Sequence, residues 1–267
     1  MGEARGLGAP PRDEILDSAL RTQLDNALEA SIQEMLGEPA PIGVLFSGGL
    51  DSSFLAVFLS ERWPVTLETV GVAGSSDLRA AHEGAELLRL PWNFHEIQIN
   101  DVRAFQLEFR SELQGLREPR RSVAVAFGLA VEKASALHLV CGQGADELFL
   151  GYAHYRGKAV SARRTLRQED LDRLLQEDWP LAQRFAQACG RTIAAPLLDP
   201  RMIDLILRLP DRFIAESPET KPLLRAWARA HGLPEPLAGR PKQALQYGSG
   251  ISKIVEREDR RALTLNR

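Results

Sequence analysis

The stretch from Pro41 to Leu59, PIGVLF-SGGLDSS-FLAVFL, constrains the fold more than any other part of the chain. A short apolar run breaks at Ser47, Gly48 and Gly49 and resumes as a segment long enough for a buried helix, which reads as strand, tight turn, helix. The pattern then repeats. VTLETVGV (Val65 to Val72) reads as a strand, a helix from Asp77 turns Leu78, Ala81, Ala85 and Leu88 inward, and FHEIQI (Phe94 to Ile99) is the next strand. Asp101 is a candidate cap for a helix running to about Gln114, another helix spans about Ser122 to Ala136, and HLVC (His138 to Cys141) is a fourth short strand ending in glycines. Strands alternating with helices predict parallel crossovers and a doubly wound, mostly parallel α/β sheet.

Outside this region the pattern changes. Leu16, Leu20, Leu24, Leu28, Ile32 and Leu36 recur every four residues, predicting one helix between Arg12 and Leu36, ended by Gly37 and Pro39. After Gly151 the strands are expected to stop, leaving helices punctuated by proline, with Asp199-Pro200 and Ser217-Pro218 each placing a cap before a first-turn proline. The expected organisation is therefore an N-terminal helix (1–40) packed on a single domain (41–267) whose last part (152–267) is mainly helical. No internal repeat or low-complexity segment divides it.

Composition narrows the function classes. Hydrophobic residues at 44% and charged residues at 26% of 267 fit an ordinary globular chain. A net charge of -3 supplies no global field for nucleic acid, and the basic run Arg156 to Arg167 reads as a solvated helix face. No apolar run approaches the roughly 20 residues that cross a bilayer, and the opening MGEARGLGAPPRDE lacks the apolar middle of a signal peptide, so the expected location is cytoplasmic with no membrane partner. Cys141 and Cys189 have no zinc-site spacing, and neither do the five histidines.

The chemistry is expected where ligands bind in open parallel sheets, beyond the carboxyl ends of the strands. Ser47-Gly48-Gly49-Leu50-Asp51-Ser52-Ser53 follows the first strand and opens a helix, so backbone N–H groups and the positive helix end converge on a spot suited to phosphate. Glycine permits close approach, and the hydroxyls of Ser47, Ser52 and Ser53 add donors. Asp51 would repel phosphate unless a hard divalent cation such as magnesium lay between. A structural turn with Asp51 steadying the first helical turn is the bland alternative. A Walker A loop needs four residues between glycine and Gly-Lys; from Gly151 to Gly157-Lys158 there are five, and Ala159 follows.

SGGLDSS resembles the pyrophosphatase loop of the N-type ATP pyrophosphatases (PP-loop, adenine nucleotide alpha hydrolase-like). CGQGADELFLGY (Cys141 to Tyr152) is similar to the second signature of the synthetase domain of asparagine synthetase, and APLLDPRMIDLILRLP, KPLLR and RPKQALQYGSG follow in that family's order, over about residues 40 to 255. The resemblance implies an ATP-using, AMP-forming carbon–nitrogen ligase: aspartate attacks the α phosphate, pyrophosphate leaves, and ammonia displaces AMP. It implies Asp51 and Asp146 as ligands of Mg2+, Lys221 as the lysine that steadies pyrophosphate and adenylate, Arg240 and Lys242 in a second basic motif of similar role, and Glu118 as the acid assisting proton removal. Adenine is expected against backbone near Leu45, Val72 and Gly142, with Gly142 and Gly144 forming the second glycine cluster. Asp77, in SSDLRAA, matches a family motif beside this pocket and is equally a helix cap.

Departures bear on the acceptor. Full-length asparagine synthetases carry an N-terminal glutaminase with cysteine first; here Gly2 follows Met1, so the expected nitrogen source is free ammonia or a separate glutaminase subunit. Cys141 and Gln143 stand where the family usually has Ser or Thr and Glu, and Leu150 replaces a common Gly. Cys141 reads as a small buried residue. The remaining alternatives are an amide-forming cyclase like the lasso-peptide cyclases and beta-lactam synthetases, a tRNA-modifying PP-loop enzyme, and a noncatalytic nucleotide-binding partner. Oligomeric state is open, a homodimer included.

Overall fold

The computed structural model describes residues 15–36, 41–214, 219–241 and 249–265. Among them, five strands form one parallel sheet: β1 (Ile42–Leu45), β2 (Val65–Gly71), β3 (Trp92–Glu96), β4 (His138–Val140) and β5 (Thr192–Ala194), in the order β3-β2-β1-β4-β5. Helix α1 (Ser18–Leu36) precedes the sheet, and the helices between the strands are α2 (Leu50–Ser60), α3 (Ser76–Leu88), α4 (Ile99–Glu108), α5 (Arg120–Lys133), α6 (Ala145–Leu148), α7 (Val160–Arg173) and α8 (Trp179–Ala188). A π-helical turn, Leu174–Asp178, joins α7 to α8. After β5 come α9 (Pro200–Leu207), α10 (Asp211–Ile214), α11 (Pro222–Ala230), α12 (Glu235–Ala238) and α13 (Ile251–Leu265).

The chain runs from β1 outward to β3, then returns to the other side of β1 for β4. The crossover direction therefore reverses between β1 and β4, which opens a crevice beyond their carboxyl ends. Both glycine clusters follow these two strands.

Local chemistry corrects several expected boundaries. Helix α1 starts at Ser18 because the Asp17 carboxylate accepts from the Leu20 N–H at 2.7 Å, so Leu16 lies outside the helix while Leu24, Leu28 and Ile32 are buried. Arg12 and the terminators Gly37 and Pro39 lie outside the described residues, as does the Ser217-Pro218 cap. Asp101 is not the cap of α4 but its third residue, its carboxylate accepting from the Gln98 N–H at 2.8 Å. Asp199 caps α9, accepting from the Arg201 N–H at 2.8 Å. Strands do not stop at Gly151, since β5 adds an edge beside β4; three residues, Thr192-Ile193-Ala194, carry too little periodicity to be legible.

Two hydrophobic clusters result. The larger joins the sheet to α1, α2 and α11, and the smaller gathers Phe105, Phe109, Val125, Leu129, Phe185, Ile251 and Val255 from α4, α5, α8, α13 and the turn after α4. Trp227 of α11 is fully buried, its ring 4.5 Å from that of Phe54, and its indole N–H donates to Asp25 of α1 at 2.7 Å. One side chain thus ties the N-terminal helix and the helical layer to the helix that opens the crevice. Trp227→Ala should lower unfolding free energy by about 3–5 kcal/mol, measured by urea denaturation; a loss under about 1 kcal/mol would contradict this packing.

Candidate functional site

The turn after β1 is built for close approach. Gly48 has φ +70°, and a Cβ there would lie 2.2 Å from the Ala80 carbonyl oxygen, so no other residue fits without moving α3. The Ser52 hydroxyl accepts from the Ser47 N–H and donates to the Gly49 carbonyl, both at 3.3 Å, while the Gly49 N–H donates to Ser47 Oγ at 3.3 Å. Ser47 and Ser52 therefore knit the turn as well as facing the cavity. Ser53 is fully buried behind them with Oγ unpaired.

The turn after β4 leans on this one. A Cβ at Gly142 would lie 3.0 Å from Asp51 Cβ, and Gly144, at φ +91°, would meet Leu198 at 2.5 Å. That proximity brings Asp51 and Asp146 to a common cation. Lys221 Nζ donates to both Asp51 oxygens at 2.7 Å and lies 2.6 Å from Asp146 Oδ1. Lys221 is only 4% exposed; burial disfavours its charge, but the two carboxylates outweigh that and hold its pKa above the ordinary lysine value.

Lys221 does not sit in a first helical turn as its spacing from Ser217-Pro218 implies. It is the residue before α11, in left-handed backbone with φ 56°, and Pro222 opens the helix. Arg225, missed from sequence, holds this conformation: its buried guanidinium donates to the Thr220 carbonyl at 2.6 Å, to the Arg240 carbonyl at 3.1 Å and to that of Ala238. Arg240 in turn donates to the carbonyls of Gly48 and Ala80, each at 2.9 Å, and so fastens the turn after β1 to α3. Sequence pattern marked Arg240 only as a cation in a motif and did not single out Arg225; carbonyl clamping needs the tertiary fold.

The crevice is a cavity of about 1080 Å3 whose walls include Leu45, Ser47, Gly49, Asp51, Ser52, Gly142, Gly144, Asp146 and Lys221. The strand-end valine on its wall is Val70; Val72 is instead engaged through its N–H with the Ser249 carbonyl at 2.9 Å. This is a correction, and its cause is strand length: β2 ends at Gly71, so Val72 lies past the strand end in the following loop. Glu118 is exposed and beside the wall residues Pro119 and Arg120, and Arg121 pairs with Asp259 at 2.8 Å. Lys242 lies outside the described residues. Gln143 reaches the cavity with a buried, unpartnered Oε1. Glu147, also on the wall, accepts from the Tyr152 hydroxyl at 2.6 Å, and burial pushes its pKa up to about 7. Burial drives the Cys141 thiol up to about 12, which leaves it inert. Among the described residues no three His, Cys, Asp or Glu side chains cluster as a metal cage, and no helix is long and apolar enough to cross a membrane.

With this geometry in view, the chain matches the profile of the asparagine synthase family over residues 23–184 and 158–264. It is 30% identical over 268 residues to asparagine synthetase B [glutamine-hydrolyzing] of Escherichia coli, covering 91% of this chain and 47% of that protein. It is 31% identical over 262 residues to the Bos taurus asparagine synthetase [glutamine-hydrolyzing], covering 90% and 44%. The chain therefore spans less than half the length of these relatives. A U34-tRNA thiolase from Methanococcus maripaludis superimposes only loosely, with TM-score 0.41 at 12% identity over 90% of this chain and 80% of that one.

Asp77 is the acid that sequence left between two roles. The cap of α3 is Ser75, whose hydroxyl accepts from the Leu78 N–H at 3.3 Å, which frees Asp77 to line the cavity with Oδ2 buried and unpartnered. Burial raises its pKa from 3.8 to about 6. Between those values the folded chain binds more protons than the unfolded one, so this group's contribution falls as pH rises through the window. Asp77→Asn should flatten that dependence and be the more stable protein above pH 6 in thermal melts. The gap caps the gain at about 3 kcal/mol, less what cavity water recovers by solvating the charge; a variant with unchanged pH dependence would contradict the burial.

Proposed function

The chain belongs to the asparagine synthase family, and from that premise we propose that it is an ATP-dependent amide synthetase that forms AMP and pyrophosphate. The observation that carries this reading is the convergence of Asp51, Asp146 and Lys221 beside the glycine turn at the point where the sheet reverses direction. The turn amides and helix end suit a triphosphate. Leu45, Val70 and Gly142 supply a wall for a flat base.

Two carboxylates, with no third His, Cys, Asp or Glu grouped with them among the described residues, fit magnesium, which keeps waters and takes phosphate oxygens to complete its shell. When bound, it would neutralise charge on those oxygens. Lys221 holds Asp51 and Asp146 together and, kept cationic, favours a pyrophosphate leaving group in a water-poor site.

In this reading a carboxylate oxygen attacks the α phosphorus, and the bond to pyrophosphate breaks with its electron pair on pyrophosphate. A nitrogen nucleophile then attacks the acyl carbon, AMP leaves with the pair of the acyl–oxygen bond, and the nitrogen loses a proton. Glu118, at the edge of the cavity wall, is the proposed aid to that proton loss. The names of the relatives support aspartate and ammonia as the first pair to test, with ammonia free or from a separate glutaminase subunit.

Purified protein given ATP, magnesium, aspartate or other acids, and ammonium should release AMP and pyrophosphate in step with amide. Asp51→Ala and Lys221→Ala should each cost at least about 100-fold in kcat, the size expected for losing one charge-stabilising group, with folding checked by circular dichroism. Formation of ADP, or full activity in Asp51→Ala, would overturn the mechanism.

A further inference from the structure

The turn that follows Gly151 brings a second constellation to the cavity. A Cβ on Gly151 would strike both Asp146 and Lys221, so the chain passes close against the acid and lysine cluster there. Just beyond, in the single 3-10 turn Ala153–Tyr155, His154 joins the cavity wall beside Tyr152, Glu147 and Arg173. Glu147, the neighbour of Asp146 in α6, accepts from the Tyr152 hydroxyl at 2.6 Å, and the Tyr152 ring stacks on the imidazole with centroids 5.3 Å apart. His154 thus stands one aromatic ring away from Glu147.

What holds the imidazole decides its chemistry. Its Nε2 lies 2.7 Å from Oδ2 of Asp170 on α7, a buried carboxylate that also accepts from the Tyr155 hydroxyl at 2.7 Å and pairs with Arg173. Burial by itself would raise the Asp170 pKa, but these three donors outweigh it and hold it below the ordinary value. An ionised carboxylate only accepts, so Nε2 carries the hydrogen and the lone pair of the neutral ring falls on Nδ1. The Tyr155 ring, 4.4 Å away and edge-on, fixes the imidazole from another side. A histidine whose tautomer and orientation are set by a buried acid is arranged as a general base. Its side chain is 47% exposed, which leaves a route for a proton to water.

We propose that His154 is a base of the second step, its Nδ1 taking the proton that the attacking nitrogen loses as it bonds to the acyl carbon, with Asp170 as its positioning residue. The proposal rests on the adenylation reading above and adds a proton acceptor to Glu118. The lone pair of the nitrogen forms the new bond, the electrons of one N–H bond stay on nitrogen while the proton moves to Nδ1, and AMP leaves with the pair of the acyl–oxygen bond. The imidazolium so formed lies against Asp170 and returns its proton to solvent.

The two half-reactions separate this role from a structural one. In His154→Gln, ATP–pyrophosphate exchange with the acid that the wild type activates should stay within about twofold, while amide formation from ammonium should fall about 100-fold or more, the lower end of what a general base supplies. Hydroxylamine, a nucleophile that depends less on proton removal, should bring the variant to within about tenfold of the wild type. Asp170→Asn should keep exchange and slow the amide step about tenfold or more, because an amide facing Nε2 permits the wrong tautomer. Wild-type amide formation in His154→Gln, an equal loss in both half-reactions, or a loss as large with hydroxylamine as with ammonium would overturn the assignment while leaving adenylation standing. Absence of exchange in the wild type with every acid would overturn the adenylation reading and the assignment with it.

Discussion

The structure turns on the close contact between the turns after β1 and β4. Only because Gly142 presents no side chain can Asp51 approach the second strand end, and only because Gly151 presents none can Asp146 and Lys221 share the space beside it; a Cβ there would lie 2.1 Å from Asp146 Oδ1 and 2.2 Å from Lys221 Cε. The result is one ammonium between two carboxylates in a poorly solvated place. Such an arrangement is a weak source of stability, because the desolvation cost offsets most of the attraction. It is better understood as preorganisation: one cation holds the two acids at short distance, leaving the cluster a net charge of one negative unit.

Strain collects at the same point. Among the described residues, the non-glycine positions with positive φ are Arg89, Leu150 and Lys221, and the last two flank Gly151 in space or sequence. Each costs about 1 kcal/mol or more relative to ordinary backbone. Lys221 is kept there by Arg225, whose guanidinium takes up carbonyls on both sides of the crossing chain, and by Pro222, which fixes the start of α11. Leu150 gains by burial of its side chain what a glycine would have gained in freedom. A rigid, locally costly site supported by buried arginines is what preorganised electrostatics requires.

How much of this was legible in the sequence depended on the range of the interaction. The strand, turn and helix around Ser47 to Ser53 follow from residues within a few positions of one another, and so does Asp199 as a cap, whereas the sequence offered Asp77 where the cap of α3 is Ser75. The pairing of Asp51 with Asp146 follows from the order of motifs together with the switch-point rule. Val70 against Val72 is a matter of where the strand stops: two residues apart they share a face, but β2 ends at Gly71 and Val72 lies beyond it. The roles of Arg225 and Arg240 were out of reach, because apart from the Thr220 carbonyl five residues back the carbonyls their guanidinium groups bind lie 13 to 192 residues away and leave no local trace. So was β5, whose edge position is set by β4 rather than by its own three residues.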